Sequence, residues 1–209
     1  MSFLVYNLVI FPMIAGILIV NNDFVQFFLG QDFQDARYAI AIMVFRMFFI
    51  GWTNIMGIQI LIPHNHNREF MLSTTIPAIF SVGLNLLLIP PLGYIGASIV
   101  SVATEGLVWL IQLYFTRSYL KEVKILPSML KIFLAALLMY GSLHFMQAFI
   151  NFSAVVNVLI FAVFGFVVYG GLILVLRVLD FQELKSVLKK WGDDMYDYLI
   201  VGAGLSGAI

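Results

Sequence analysis

Residues 85–105 read NLLLIPPLGYIGASIVSVATE. An apolar run ends at a proline pair, a glycine follows, and a second apolar run opens on Gly96 and Ala97. Proline lacks the N–H that continues a helix, and glycine takes turn conformations that other residues avoid. The stretch therefore predicts a helix, a tight turn and another helix. Extended outward, the two runs cover residues 70–90 and 95–116. Each meets the need for about 20 mainly apolar residues to cross the hydrocarbon core of a bilayer.

The rest of the chain has the same character. Of its 209 residues 62% are hydrophobic and 11% charged, with a mean hydropathy of +1.02. Water-soluble domains carry about 25% charged residues, so too little polar surface exists here to face water. Four further runs, at 2–20, 38–62, 128–150 and 154–177, bring the expected spans to six. Backbone polar groups in lipid must be bonded within the segment, which makes such runs helices. The first run has no preceding Lys or Arg and no small-residue cleavage site, so it reads as a membrane helix rather than a signal peptide. Pro12 and Pro77 lie inside spans and predict kinks. The fold class expected for residues 1–178 is an all-α, polytopic bundle of six transmembrane helices.

Charge sets the expected orientation. The first connection holds Asp23, Asp32 and Asp35 against Arg37, and the third and fifth are uncharged. Arg68 lies on the second, Arg117, Lys121 and Lys124 on the fourth, and Arg177, Lys185, Lys189 and Lys190 follow the last span. Lys and Arg are retained on the cytoplasmic side, which places both termini there. The net charge is zero, and no nucleic-acid partner is expected; membrane lipids are. Residues 178–191, VLDFQELKSVLKKW, space their apolar residues as one helix face with lysines on much of the other. Either an interfacial helix or a cytoplasmic continuation of the last span fits, so 179–194 is read as an amphipathic helix or linker.

Ionisable groups inside a membrane cost about 2.5–3.5 kcal/mol on insertion scales and face protein or water. Glu105 lies mid-span, and Ser98, Ser101 and Gln112 share its helix face by spacing. That stripe suits the wall of a polar cavity or a glutamate bonded to a neighbouring helix. Arg46 lies about two turns into the second span, with Thr53 and Gly57 on its face and Asn54 beside them. It can meet an anionic group such as a pyrophosphate, snorkel to the headgroups, or pair with Glu105. Asn85 stands one turn from Ser81, and Tyr140, His144, Gln147 and Asn151 share a face; helix–helix hydrogen bonds are the simpler role for both sets. Gly51, Gly57, Gly96, Ala97, Gly165, Gly170 and Gly171 read as close-packing positions. His64 and His66 match no zinc spacing and sit in a short polar turn. With no cysteine and no nucleophile–base arrangement, the membrane part is expected to be neither metal-binding nor enzymatic.

Residues 85–105, with Asn85, Pro90, Gly93, Gly96, Ala97 and Glu105, resemble a recurring segment of Wzx-type polysaccharide flippases. These belong to the multidrug/oligosaccharidyl-lipid/polysaccharide exporter superfamily. Upstream, Pro12, Gly16, Leu29 and Gly30 in FPMIAGILIVNNDFVQFFLGQDFQDA look like that family's proline helix and following turn. The resemblance covers residues 3–178. It implies a bacterial cytoplasmic membrane protein that moves lipid-linked oligosaccharide between leaflets for capsule, O-antigen or related polymers. It also implies a cavity between two lobes, and makes Arg46, Asn54, Asn85, Ser98, Ser101, Glu105 and Gln112 candidate cavity residues. The family has twelve to fourteen helices, so this chain is expected to be a C-terminal fragment that does not transport alone. A fragment of a cation-coupled multidrug exporter from the same superfamily is an alternative.

Residues 195–209, MYDYLIVGAGLSGAI, place a strand-like run before G-x-G-x-x-G at Gly202, Gly204 and Gly207. The stretch is similar to the N-terminus of UDP-galactopyranose mutases, flavoenzymes that supply galactofuranose to surface polysaccharides. The helix, second strand and acidic residue that a dinucleotide site needs do not follow. The tail is therefore expected to be a truncated, Rossmann-like βα motif without catalysis, the edge of a neighbouring gene joined in frame. FAD is expected only if that motif belonged to a complete mutase, in which case the chain would be a truncated membrane-fused enzyme. Otherwise no cofactor is expected.

Overall fold

A computed structural model describes residues 2–120, 126–149, 152–176 and 178. Helix α1 is Ser2–Phe28, followed by a short 3-10 turn at Gln31–Phe33. Helix α2, Ala36–Asn54, runs on as a π-helix over Ile55–Leu61. Then come α3, Asn67–Leu120, α4, Leu126–Gln147, and α5, Ala154–Val175. All five are long and apolar enough to cross a membrane, and the described residues contain no strand. The chain is a multi-pass helical membrane protein.

The expectation of six separate helices is corrected to five, because residues 70–90 and 95–116 belong to one element. A straight helix of 54 residues would be about 80 Å long, far beyond a bilayer's hydrocarbon core. Instead α3 reverses at Gly93, whose φ of 56° and ψ of −132° are not helical. Those angles match the first central position of a type II′ turn, which glycine favours. Pro90 and Pro91 stay inside the helix, since their fixed φ is compatible with it, so the break falls on one residue rather than on a five-residue loop. Gly96 then comes against the carbonyl of Leu88, where any β-carbon would collide. Further along, Gln112 bonds Ser73, residues nearly equidistant from Gly93. The arms 67–92 and 94–120 thus lie side by side and antiparallel.

Helix α1 packs against α2, α4 and α5, while α3 meets the bundle mainly through α2. Ala15, Ile19, Ile132, Met139, Leu143, Phe161 and Ile173 fill the space between α1, α4 and α5. Phe3, Trp52, Ile55 and Met56, with Phe48 and Trp109 against them, fill that between α1, α2 and the second arm of α3. Helix α1 is longer than expected, because Asn21, Asn22 and Asp23 interrupt the apolar run without breaking the helix. Asn21 donates to the carbonyl of Arg37, and Arg37 donates back to Asn22, tying that polar end to the start of α2.

Apolar surface gains little by leaving lipid for protein, so polar contacts carry much of the specificity between helices. Pro12 has no N–H for the carbonyl of Leu8 one turn earlier. The Tyr169 hydroxyl, from α5, donates to that carbonyl at 2.8 Å. Gln147 of α4 donates to Ile19 at 2.8 Å, and buried Asn7 accepts from the Trp52 indole at 3.2 Å. Gly170 and Gly171 meet nothing within 4 Å, which corrects their reading as packing positions. The motif with Gly202, Gly204 and Gly207, and the amphipathic stretch after Val178, lie outside the described residues.

Tyr169→Phe leaves the Leu8 carbonyl without a donor and should cost about 0.5–2 kcal/mol. In a Pro12→Ala background, where residue 12 again donates to Leu8, the cost should fall toward zero; unfolding in detergent measures both. Gly93→Ala should destabilise by about 1–3 kcal/mol, because an L-residue is strained at that φ and ψ, read as a lower melting temperature.

Candidate functional site

The hairpin reversal brings α2 and both arms of α3 around one polar space. Among the three roles open to Arg46, the geometry selects the ion pair. Its Nη2 and Nε approach Glu105 Oε1 at 2.9 and 3.3 Å. The side chains are 37% and 20% exposed, so the pair joins α2 to the second arm at the edge of the bundle. A guanidinium and a carboxylate that meet in this setting spare each other the cost of an uncompensated charge.

Beside the pair lies a cavity of about 320 Å³, lined by Thr53, Asn54 and Ile58 of α2, Phe70, Thr74 and Ala78 of the first arm, and Thr104, Glu105, Val108 and Gln112 of the second. Gln112 is 1% exposed. Its Nε2 donates to Ser73 Oγ at 3.1 Å, while Ser73 gives its own hydrogen to the Phe70 carbonyl at 2.7 Å. The amide orientation follows, since Ser73 has only lone pairs left to offer. Among the described residues Gln112 Oε1 has no hydrogen-bond partner, a condition that costs about 1–3 kcal/mol when buried. Gly57, in the π-helical turn, admits this crowding: a β-carbon there would stand 2.7 Å from the Phe70 ring and 3.0 Å from the Gln112 amide. A larger cavity, about 490 Å³, lies between α1, α4 and α5, but its wall, including Pro12, Gly16, Phe161 and Gly165, is almost wholly apolar.

Of the candidate residues, Asn54, Glu105 and Gln112 share the polar cavity and Arg46 adjoins it through Glu105. Asn85, Ser98 and Ser101 are not part of its wall. Asn85 donates to Ser81 on its own arm at 3.3 Å. Ser98 is buried and returns its hydroxyl to the Tyr94 carbonyl. Close to Gly93 the arms touch, so the stripe that begins at Ser98 finds room only from Thr104 onward. Thr74 and Thr104 were passed over in the sequence. The spacings 70, 74, 78 and 104, 108, 112 mark their faces, but threonine in an apolar helix gives a weak signal.

At one end of the hairpin, the turn between α2 and α3 places Asn65 at φ 62°. His66 contacts the Tyr119 hydroxyl at 3.1 Å and Glu69 at 3.3 Å, so it links the turn to the end of the second arm rather than simply facing solvent. No three His, Asp or Glu side chains converge as a metal site among the described residues.

No family model and no solved structure matches the chain. Over 107 residues it is 33% identical to a protein of Escherichia coli (strain K12) named "Putative O-antigen transporter". The matched stretch covers 49% of this chain and 25% of that protein, so the chain spans about a quarter of the length of the curated relative it matches. The similarity agrees with the flippase resemblance of the sequence. No comparison shows a mutase-like tail.

The pair and its surroundings can be tested by a double-mutant cycle. Arg46→Ala and Glu105→Ala should each destabilise the protein by about 1–3 kcal/mol, the double variant by less than their sum, with a positive coupling of at least about 0.5 kcal/mol. Equal and additive losses in detergent unfolding would sink the pair as a structural link.

Proposed function

We propose that this chain is part of a transporter that moves lipid-linked oligosaccharide across the bacterial cytoplasmic membrane for surface polysaccharide synthesis. The similarity to the Escherichia coli protein carries the reading. The polar cavity beside Arg46 and Glu105, set in an otherwise apolar bundle, gives it a place to act. Polar and charged groups in membrane proteins mark substrate paths, and here they gather on α2 and the α3 hairpin.

The cavity is walled by only three helical segments. A path wide enough for an oligosaccharide therefore needs further helices, and the chain acts as one portion of a larger transport unit. The geometry favours this reading over a cation-coupled exporter, because the Glu105 charge is already matched by Arg46. The contact of His66 with Tyr119 brings the start of α3, which bears Arg68, and the arm end bearing Arg117 to one face of the bundle. By the retention of basic residues that face is cytoplasmic, with both termini on the same side.

The test is surface polymer in cells lacking their O-antigen transporter. The chain is expressed alone and together with the part of the Escherichia coli protein outside the matched stretch. Polymer should return only in the combination, and fall at least tenfold when Arg46 or Glu105 becomes Ala. If the combination inserts into the membrane yet restores nothing, while the intact Escherichia coli protein does, the proposal fails.

A further inference from the structure

The cavity between α2 and the arms of α3 has a polarity that the residue types alone do not reveal. Each threonine in its wall has spent its hydroxyl hydrogen on its own helix. Thr53 donates to the Ile50 carbonyl at 2.9 Å, Thr74 to Met71 at 2.9 Å, and Thr104 to Val100 at 2.7 Å. What these groups turn outward is lone pairs. Gln112 Oε1 has no hydrogen-bond partner among the described residues, but the atom is itself buried and does not face the open space. Glu105 adds the carboxylate oxygen that Arg46 does not use. Among the polar lining residues, hydrogens come from the Asn54 amide and the second amide hydrogen of Gln112.

A wall of acceptors asks for a ligand rich in donors. A bare cation is the weaker match, because the Arg46 guanidinium cancels the Glu105 charge. An anion is the worst match, since the Arg46–Glu105 pair offers it no net positive charge and the wall turns mainly lone pairs toward it. Hydroxyl groups satisfy acceptors without bringing charge, and about 320 Å³ falls within the range of small-molecule sites, roughly 300–1,000 Å³.

We propose that this cavity binds a neutral, hydroxyl-bearing sugar residue and discriminates against acidic sugars. The inference rests on the transport reading and adds a rule of selection to it: within the transported glycan, the unit seated here carries no carboxylate. Thr74, Thr104 and the free Glu105 oxygen accept its hydroxyls.

Binding of methyl galactoside and of methyl galacturonate to the purified chain in nanodiscs, at matched ionic strength, tests this. Ligand-detected NMR suits the weak affinities expected of a single sugar. The neutral glycoside should bind at least tenfold more tightly than the uronate. Thr74→Val, which keeps the shape and removes one acceptor, should weaken it severalfold. Thr104→Val should weaken it by a similar factor, so that a folding defect in either variant alone does not decide the test. Glu105→Gln should let the uronate approach the neutral sugar in affinity. Absence of saturable binding, equal binding of both sugars, tighter uronate binding, or displacement of the sugar by sodium would each overturn the proposal. If one of these is found while surface polymer is still restored in cells, the selection rule falls and the transport reading stands.

Discussion

In a bilayer a backbone carbonyl without a donor has no water to turn to, and this fold answers that constraint across helices. Pro12 frees the carbonyl of Leu8, and a tyrosine from α5 takes the place of the missing N–H. The central position of α1 follows from several contacts of this kind. It offers carbonyls to α5 at Leu8 and to α4 at Ile19, and receives the Trp52 indole of α2 at Asn7. Apolar packing fills the spaces between the helices, but these bonds specify which helix lies beside which.

The same accounting separates two kinds of polar residue. Serines and threonines that return their hydrogens to their own helix, such as Ser98, are silent when packed against a neighbour. Where the neighbour draws back, as beside Thr104, the same habit leaves an acceptor facing open space. Distance from the Gly93 reversal decides which occurs, so the character of the site follows from the shape of the hairpin.

Much of the architecture was legible in the sequence. Run lengths located the apolar helices to within a few residues, apart from the far end of α1, where three polar residues resembled a loop but left the helix unbroken. The proline pair drew attention to the right turn while misplacing its break, since proline tolerates helical φ and the sign of φ at Gly93 is not written in composition. Glu105 and Gln112 were visible because such side chains are rare in apolar runs. Their partners were not: whether Arg46 reaches Glu105 across 59 residues depends on helix rotation, which an apolar face nearly uniform around its circumference does not fix. Asn85 and Ser101 are of the same residue types but lie outside this cavity's wall.

A reversal that occupies a single glycine has a consequence for how the protein assembles. The contacts between the two arms of α3 join residues close in sequence, and low contact order favours early formation. The hairpin can close as soon as its second arm emerges, before α4 and α5 exist to pack on α1. With α2 as its main contact with the remaining helices, it can then dock as a finished unit. The polar cavity, built from α2 and this hairpin, would be complete while the apolar half of the bundle is still being made.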